Sequence, residues 1–581
     1  MTAFSNLIHS LRRRLSTPVL ALGTAALVVA CGGGGTVPVP STRALPADFS
    51  ARKAVAYSPY RTARSEPERA AETITTAMVK QDLDLLAAGG FRLIRLFDSS
   101  DKVSKLTLQV IRDNKLDIKV MLGIYPAAFD GAFSNAEIAR GIALANTFKD
   151  EVIAVSVGNE TMVSWSFNPL STAAMKTYIT AVRNAITQPV TTDDNWAFFA
   201  KSGPFEQDPA SILASIDFVA MHSYALLDSV FSPDLWDWRQ ASVAPAGRAK
   251  AMMDAALAST QKEYAAVRTH MDSLGFTSMP IVIGETGWKA DPSIHLGRSG
   301  AVNQKMYFDA LAAWRATPNG PKNIFWFEGF DEPWKQGDDG WGLFNVARQA
   351  RCVVQGLYAS TQWETRYSCD PATASYVVPL NVRAAVTAAR YTAYAETITA
   401  GEARPVLAPW WNAWENDSTG VAVELTNSAA PGDGSKSIEI TPRPAVWGWG
   451  ETLPLPTNTA DNLTAFANGT LNFSIKTTYA GKLEVGFLVG SGTDGSAYDV
   501  YITLGAGEYG YVNDGAWHNV SIPIKELVNK VLAADRVAAS RIDLGRVTNT
   551  FVIADRYAKT GKPQGSNVTT KINVDGIYWA R

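Results

Sequence analysis

The sequence predicts an α/β chain in which a (β/α)8 TIM barrel is followed by an all-β, jelly-roll-like sandwich. Three observations carry that prediction. From residue 54 to about residue 330, eight short β-rich runs alternate with longer helical segments, as a parallel sheet covered by helices requires. Polar and ionisable residues collect at the C-terminal ends of several of these runs, the end at which a barrel opens. Beyond about residue 405 the apolar period switches from the helical 3.6 to the strand value of two. A doubly wound open sheet is the alternative for the first region, but eight strands in about 280 residues fit a barrel better.

The chain has 581 residues, with 53 Lys and Arg against 55 Asp and Glu, and a mean hydropathy of −0.04. It is too long for one small module, too apolar to be disordered and too even in hydropathy to span a membrane many times. No segment after residue 50 concentrates Lys and Arg, so no nucleic-acid partner is expected. Seventeen Trp suit a flat, uncharged ligand such as the face of a sugar ring.

Residues 1–30 read as an export signal. Arg12, Arg13 and Arg14 precede an apolar run, Val19 to Val29, too short to cross a bilayer comfortably. The run ends in Val28-Val29-Ala30-Cys31, which resembles the bacterial lipobox. That resemblance implies a mature chain beginning at a lipid-bearing Cys31, anchored in a membrane. A plain signal peptide or an anchor helix are the alternatives. With no Asp after the cysteine, the pattern resembles lipoproteins sent to the outer membrane. Gly32 to Gly35 open a flexible tether assigned to residues 31–50.

The barrel is placed at residues 51–350. Its strands are read at Ala54–Tyr60, Phe91–Phe97, Ile118–Tyr125, Val152–Glu160, Val190–Phe199, Ile216–Tyr224, Pro280–Trp288 and Asn323–Phe330. Helices are read at Glu68–Ala88, with Ile74, Met78, Leu85 and Ala88 as its core stripe, and at Val103–Lys115, Ala136–Lys149, Ser171–Ile186, Pro245–Leu274 and Ala301–Ala316. The fourth strand ends in Val157-Gly158-Asn159-Glu160 and the seventh in Gly284-Glu285-Thr286-Gly287-Trp288. Glutamates after strands four and seven face each other across a barrel mouth. Glycoside hydrolysis needs two such carboxyls, one to protonate the leaving oxygen and one to attack or stabilise the anomeric carbon.

These two segments resemble glycoside hydrolase family 17, the β-1,3-glucanases and β-1,3-glucan transferases. Ile94-Arg95-Leu96-Phe97 is similar to the family's second-strand segment. Phe325-Trp326-Phe327-Glu328-Gly329-Phe330-Asp331-Glu332-Pro333-Trp334-Lys335, followed by Trp341-Gly342-Leu343-Phe344, resembles its eighth. The likeness spans roughly residues 51 to 345. It implies a retaining enzyme with Glu160 as acid/base, its pKa raised, and Glu285 as an ionised nucleophile. It implies β-glucan polysaccharide or oligosaccharide as substrate and a monomeric protein. Hydrolysis and transfer share that chemistry, and a non-catalytic glucan-binding surface protein is the third reading.

The candidate substrate-binding residues are Asn159, Tyr60, Arg95, Tyr224, Trp288, Glu328, Glu332 and Lys335. Asn159 would bond a sugar 2-hydroxyl, and Tyr224 would set its phenol against Glu285. Arg95 would hold Glu160 or Glu285, or close a salt bridge inside the barrel. Glu328, Asp331, Glu332 and Lys335 would line an acidic mouth or form a structural ion network. Trp196, Trp288, Trp326, Trp334 and Trp341 are stacking candidates, at least two of them core residues. The five histidines, at 9, 222, 270, 295 and 518, form no paired ligand motif, and no phosphate-binding glycine fingerprint occurs. No metal and no cofactor are expected.

Residues 351–404 read as a helical extension, with a helix near Leu380 to Ile398. Segment 346–400 has no counterpart in the family. Cys352 and Cys369 are a disulfide candidate whose closure would add roughly 3 kcal/mol; two unpaired thiols are the alternative. Residues 405–581 read as the sandwich. Val421, Val423 and Leu425; Leu483, Val485 and Phe487; Val500, Ile502 and Leu504; and Val520, Ile522 and Ile524 each alternate with polar neighbours. The region weakly resembles carbohydrate-binding modules, with Trp410, Trp411, Trp414, Trp447 and Trp449 as candidates for stacking or for packing.

Overall fold

The computed structural model describes residues 42–335, 340–408, 421–442, 448–481, 483–556 and 570–581. It divides into two compact units between Val377 and Val378. The leader, Cys31 and the glycine run lie outside the described residues, as do Trp410, Trp411, Trp414 and Trp447.

The first unit is the expected barrel. Its strands are β1 (Lys53–Ala56), β2 (Phe91–Arg95), β3 (Lys119–Ile124), β4 (Val152–Asn159), β5 (Val190–Asn195), β6 (Val219–His222), β7 (Ile281–Thr286) and β8 (Ile324–Trp326). Each pairs in parallel with the next, and β8 returns to β1. The alternation along each strand sorts side chains into two layers. Ala54, Leu93, Met121, Ala154, Ala220, Val282 and Phe325 fill the interior. Their immediate neighbours, among them Val55, Ile94, Val120, Val155 and Ile283, face the helices.

Several expectations are corrected. Residues 42–50, assigned to the tether, are folded onto the barrel. A short helix, Ala47–Ala51, buries Phe49 among the interior side chains, and Arg43 donates to the carbonyls of Gln188 (2.8 Å) and Arg183 (2.6 Å). The single helix expected at 68–88 is two, Glu66–Ala71 and Thr76–Ala88. The chain breaks because the Glu72 carboxylate accepts the backbone N–H groups of Arg61, Thr62 and Ala63 at 2.8–3.0 Å, while Thr75 caps the second helix. The buried stripe of that helix is Val79, Leu83 and Leu86, not the set centred on Met78 and Leu85. The fifth strand stops at Asn195, whose side chain caps the helix Trp196–Ala200.

After β8 no α-helix occurs among the described residues as far as Val377. Short 3-10 turns take its place, tied by a bond between Cys352 and Cys369. The helix expected near Leu380–Ile398 is absent too. That stretch holds two strands, β9 (Asn381–Val382) and β10 (Arg390–Tyr394). Its alanines favour a helix locally, but β10 pairs with the last strand of the chain and buries Tyr391 and Ala393, so tertiary pairing wins.

The second unit is β-rich. Its further strands are β11 (Val421–Thr426), β12 (Ser437–Pro442), β13 (Gly448–Pro454), β14 (Thr459–Ala460), β15 (Thr470–Thr477), β16 (Leu483–Val489), β17 (Tyr498–Leu504), β18 (Trp517–Pro523), β19 (Val547–Arg556) and β20 (Ile572–Ala580). One antiparallel sheet runs β11-β12-β20-β15-β18, with β10 also on β20, and a second runs β13-β19-β16-β17. Their apolar faces share one core. Ile524, expected in a strand, instead opens a helix, Ile524–Asp535, that buries Leu527 and Val531.

Candidate active site

The candidate residues meet at the C-terminal mouth of the barrel, where its eight parallel strands end. At the end of β4 the chain turns through Gly158 (φ +94°) and Glu160 (φ +47°). The φ of Gly158 is one that L side chains rarely adopt, which is why glycine stands at the turn. Glu160 itself holds a left-handed conformation that costs a non-glycine residue energy, an arrangement concentrated at functional sites. Its amide donates to the Asp193 carbonyl (2.9 Å), and its carbonyl accepts the Ser166 hydroxyl. The turn leaves the Glu160 side chain about a third exposed, whereas Glu285, inside the end of β7, is buried. Gly284 precedes it because a Cβ there would strike the Asp193 carboxylate.

Three groups hold Glu285. Arg95 Nη1 donates to one carboxylate oxygen, Tyr224 Oη donates to the other at 2.7 Å, and His222 Nδ1 stands 3.6 Å away. The fully buried Arg95 also pairs through Nε with Asp193 Oδ2 (3.1 Å) and donates to Asn159 Oδ1 (2.5 Å). It is thus enclosed by protein groups and acts on the mouth through the side chains it fixes. His222 Nδ1 lies 3.0 Å from Glu160 Oε1, and its Nε2 is 3.6 Å from Asp193 Oδ1.

Burial alone would lower the His222 pKa, but the carboxylates of Glu285, Asp193 and Glu160 outweigh it and push the imidazole up to about 10. Burial alone would raise Glu285; His222, Arg95 and the Tyr224 hydrogen bond instead hold it below the usual carboxylate value. Asp193 is lowered in the same way, chiefly by Arg95 and His222 against its burial. At neutral pH the mouth therefore holds a buried imidazolium between carboxyl groups.

The segment after β8 forms a second cluster. Lys335 pairs with both Glu328 (3.3 Å) and Glu332, and Trp334 Nε1 donates to Glu332 Oε1 at 3.0 Å. Burial and the neighbouring Glu332 push Glu328 well up, while Lys335 brings Glu332, despite burial, down to about 2. The two neighbouring buried carboxyls are thus shifted in opposite directions. Asp331 is structural: it accepts the amides of Gly340 (3.0 Å) and Gly342 (2.9 Å) and pairs with Arg351 (2.6 Å). Tyr60 is nearly buried, with Arg69 and Lys102 over its ring at 5.4 and 5.1 Å.

Trp288, a candidate for substrate contact, is corrected to a core residue. Its indole is fully buried against Tyr307 and donates to the Arg298 carbonyl (3.1 Å). Trp326 and Trp341 are buried as well, while Trp196 and Trp334 are part-exposed. In the second unit Trp449 is buried and donates to Tyr479 Oη at 3.2 Å. Sequence reasoning assigned no role to His222 or Asp193. Both sit at strand ends, the signal that found the glutamates. His222 lies two residues before Tyr224 in the same motif, and Asp193 falls inside a run expected to continue to Phe199, whereas the strand ends at Asn195. Among the described residues no group of three or more His, Cys, Asp or Glu is placed to hold a metal ion.

A family model described as the BtgE/BtgC glycoside hydrolase domain matches residues 54–344. A second, described as carbohydrate binding domain 30, matches residues 407–558. A glucan 1,3-beta-glucosidase of Arthroderma benhamiae is 25% identical over 289 residues, covering 47% of this chain and 82% of that protein. An endo-laminarinase structure from Formosa Hel1_33_131 is 22% identical, with a TM-score of 0.48 over 55% of this chain and 90% of that one. A β-1,3-glucanosyltransferase from Rhizomucor miehei, an active-site mutant in complex with laminaritriose, is 16% identical, with a TM-score of 0.38 over 52% of this chain and 95% of that one.

Proposed function

The chain belongs to the BtgE/BtgC glycoside hydrolase domain family, and on that premise we propose that it cleaves β-1,3-glucan by a retaining double displacement, with Glu285 as nucleophile and Glu160 as acid/base. The observation that carries the mechanism is the place of His222 Nδ1, 3.0 Å from a Glu160 oxygen and 3.6 Å from a Glu285 oxygen. Those oxygens can be no farther apart than the two distances laid end to end. A retaining pair stands about 5–5.5 Å apart and an inverting pair about 6.5–9.5 Å. The bound concerns one oxygen of each carboxyl and is compatible with a retaining pair; the anomer of the first product decides between the two. Support for the β-1,3 linkage comes from the 25% identity to a glucan 1,3-beta-glucosidase and from the family 17-like segments at four strand ends.

In the first step Glu285 attacks the anomeric carbon, the glycosidic bond breaks, and Glu160 gives its proton to the leaving oxygen. In the second, Glu160 takes a proton from water as that water attacks, and the bond to Glu285 breaks. Negative charge moves from Glu285 to Glu160 and back. His222 faces both carboxyls, so its imidazolium meets an anion in either state. That is a preorganised electrostatic arrangement needing no movement of the cation.

With a glucan hydroxyl in place of water the same intermediate gives transfer. The C-terminal unit binds polysaccharide in this reading, on the strength of its match to carbohydrate binding domain 30. Arg12–Arg14, the short apolar run and Cys31 support export and lipid anchoring at a bacterial outer membrane.

The test is a reducing-end-labelled linear β-1,3-gluco-oligosaccharide, followed by mass, with Glu285→Gln as control and the anomer of the first product read by NMR. Shorter products, initially β, from wild type alone are expected. An initial α-anomer would overturn retention, early longer products would make transfer the main activity, and a silent wild type would reject the linkage.

A further inference from the structure

Seven Phe and Trp side chains are more than a third exposed among the described residues, and five of them stand on the connections that follow β3, β4 and β5. Phe129 (86%), Trp165 (50%), Phe167 (67%) and Phe205 (63%) are the most open. Single exposed apolar residues are ordinary, but a concentration of them on one face marks a binding surface.

Two hydrogen-bonded seams hold these loops together, and each aromatic is the chain neighbour of a seam residue. At the first, Asn168 Oδ1 accepts from the Ala128 amide (2.6 Å) and Asn168 Nδ2 donates to the Pro126 carbonyl (2.8 Å), which sets Phe129 and Phe167 on either side. At the second, the Ser164 hydroxyl (2.6 Å) and amide (3.1 Å) donate to the Glu206 carboxylate, flanked by Trp165 and Phe205. Gln207 Nε2 adds a bond to the Leu170 carbonyl at 2.9 Å. The aromatics are thus carried on a braced ridge.

The ridge continues from Glu160. The loop that bears Trp165 and Phe167 begins at that residue, and Ser166 closes it onto the Glu160 carbonyl. An acid/base must touch the glycosidic oxygen, so the leaving part of the chain departs on the Glu160 side of the scissile bond. The far side of the mouth has another character: Tyr60 and Trp334 lie beneath cations, with Arg69 over both rings.

We propose that Phe129, Trp165, Phe167 and Phe205 form a stacking platform for the glucosyl residues on the leaving side of the cut, and that by retaining an acceptor chain there the platform raises the share of glycosyl-enzyme resolved by a sugar hydroxyl rather than by water. This rests on the roles assigned above to Glu160 and Glu285. No bond beyond those of the double displacement is involved: the acceptor hydroxyl loses its proton to Glu160 and takes the glycosyl group from Glu285.

The experiment compares wild type with Trp165→Ala, Phe205→Ala and their double variant on two substrates. One is laminarihexaose. The other is an aryl β-laminaribioside, whose small phenol leaves without needing sugar-binding subsites beyond the cut. The expected result is that kcat/KM for the hexaose falls about tenfold relative to the aryl substrate. The transfer-to-hydrolysis ratio, read with excess laminaritriose as acceptor, falls in parallel through a higher acceptor KM, and Trp165→Phe restores most of both.

Equal losses on the two substrates would show that the loops only maintain the fold, and would overturn the proposal. Unchanged ratios with both substrates turned over would overturn it while leaving the enzyme reading intact. Unchanged ratios together with a loss of self-association in sedimentation would assign the ridge to a second copy of the chain instead. A wild type that turns over neither substrate would reject the enzyme reading, and the platform with it.

Discussion

Glu285 and Asp193 at the barrel mouth and Glu451 in the sandwich are all buried carboxyl groups, and they are held in opposite ways. At the barrel mouth Glu285 and Asp193 lie out of water, yet Arg95 and His222 stand against them and keep both below their usual pKa values. In the sandwich, Glu451 lies between Trp449 and Leu453 on the core-facing side of β13, opposite Ile553 of β19. Burial, only partly offset by the Thr452 backbone amide, pushes it up to about 8. The difference teaches where chemistry resides. A buried carboxyl stays charged only where a cation offsets its desolvation, and only a charged carboxylate serves as a nucleophile.

The largest expected effect comes from breaking the compensated side. Arg95→Met removes one cation from three partners and leaves His222 as the cation beside Asp193 and Glu285. A loss of about 3–5 kcal/mol in barrel stability is expected, as for other buried ion pairs deprived of one member. Chemical denaturation of the full chain would measure it. A barrel transition unmoved by Arg95→Met would mean that the mouth does not depend on this pairing.

Next in size is His222→Asn, which keeps a polar group but removes the imidazolium. A drop of about 10²–10³ in kcat is expected, the usual effect of deleting one preorganised electrostatic group. Linkage supplies a second readout. The folded-state pKa of His222, about 10, lies above its ordinary 6.5, so its contribution to stability is complete below about pH 6.5 and is lost as pH rises through about 10. Glu285, held below its ordinary 4.5, contributes above that value and ceases to as pH falls. Denaturation between pH 6 and 10 should show the alkaline decline in wild type and a flatter profile in His222→Asn.

The barrel's order, its eight strands and the two glutamates were legible because local patterns encode them: apolar runs with a polar residue at the C-terminal end. What failed to show depends on contacts distant in sequence. The Glu72 carboxylate breaks a helix by binding amides about ten residues upstream, and the alanine-rich stretch at 384–389 leads into a strand whose partner is the last strand of the chain. His222 stands between Glu160 and Glu285 only once β4 to β7 are assembled side by side, so its role cannot be read from its own neighbours. The tryptophans divide for a related reason. Nothing local separates Trp288, sealed against Tyr307, from Trp165, left open on its loop.

Glu451→Gln gives the smallest effect, with the opposite sign to Arg95→Met. Because the folded-state pKa of Glu451 is raised from 4.5 to about 8, the native sandwich binds a proton that the unfolded chain has released. That preference stabilises the fold in full below about pH 4.5 and is lost as pH climbs through about 8, at a cost of about 2 kcal/mol between pH 5 and pH 7. Glutamine matches the protonated acid in shape and never ionises. The variant should therefore equal wild type near pH 4.5 and exceed it at pH 8, in denaturant unfolding of the full chain followed through the sandwich transition. If the wild-type slope survived in Glu451→Gln, another group would own the proton. If the variant were weaker at every pH, Glu451 would have to be charged and paired, and it would follow the same rule as Glu285 and Asp193 after all.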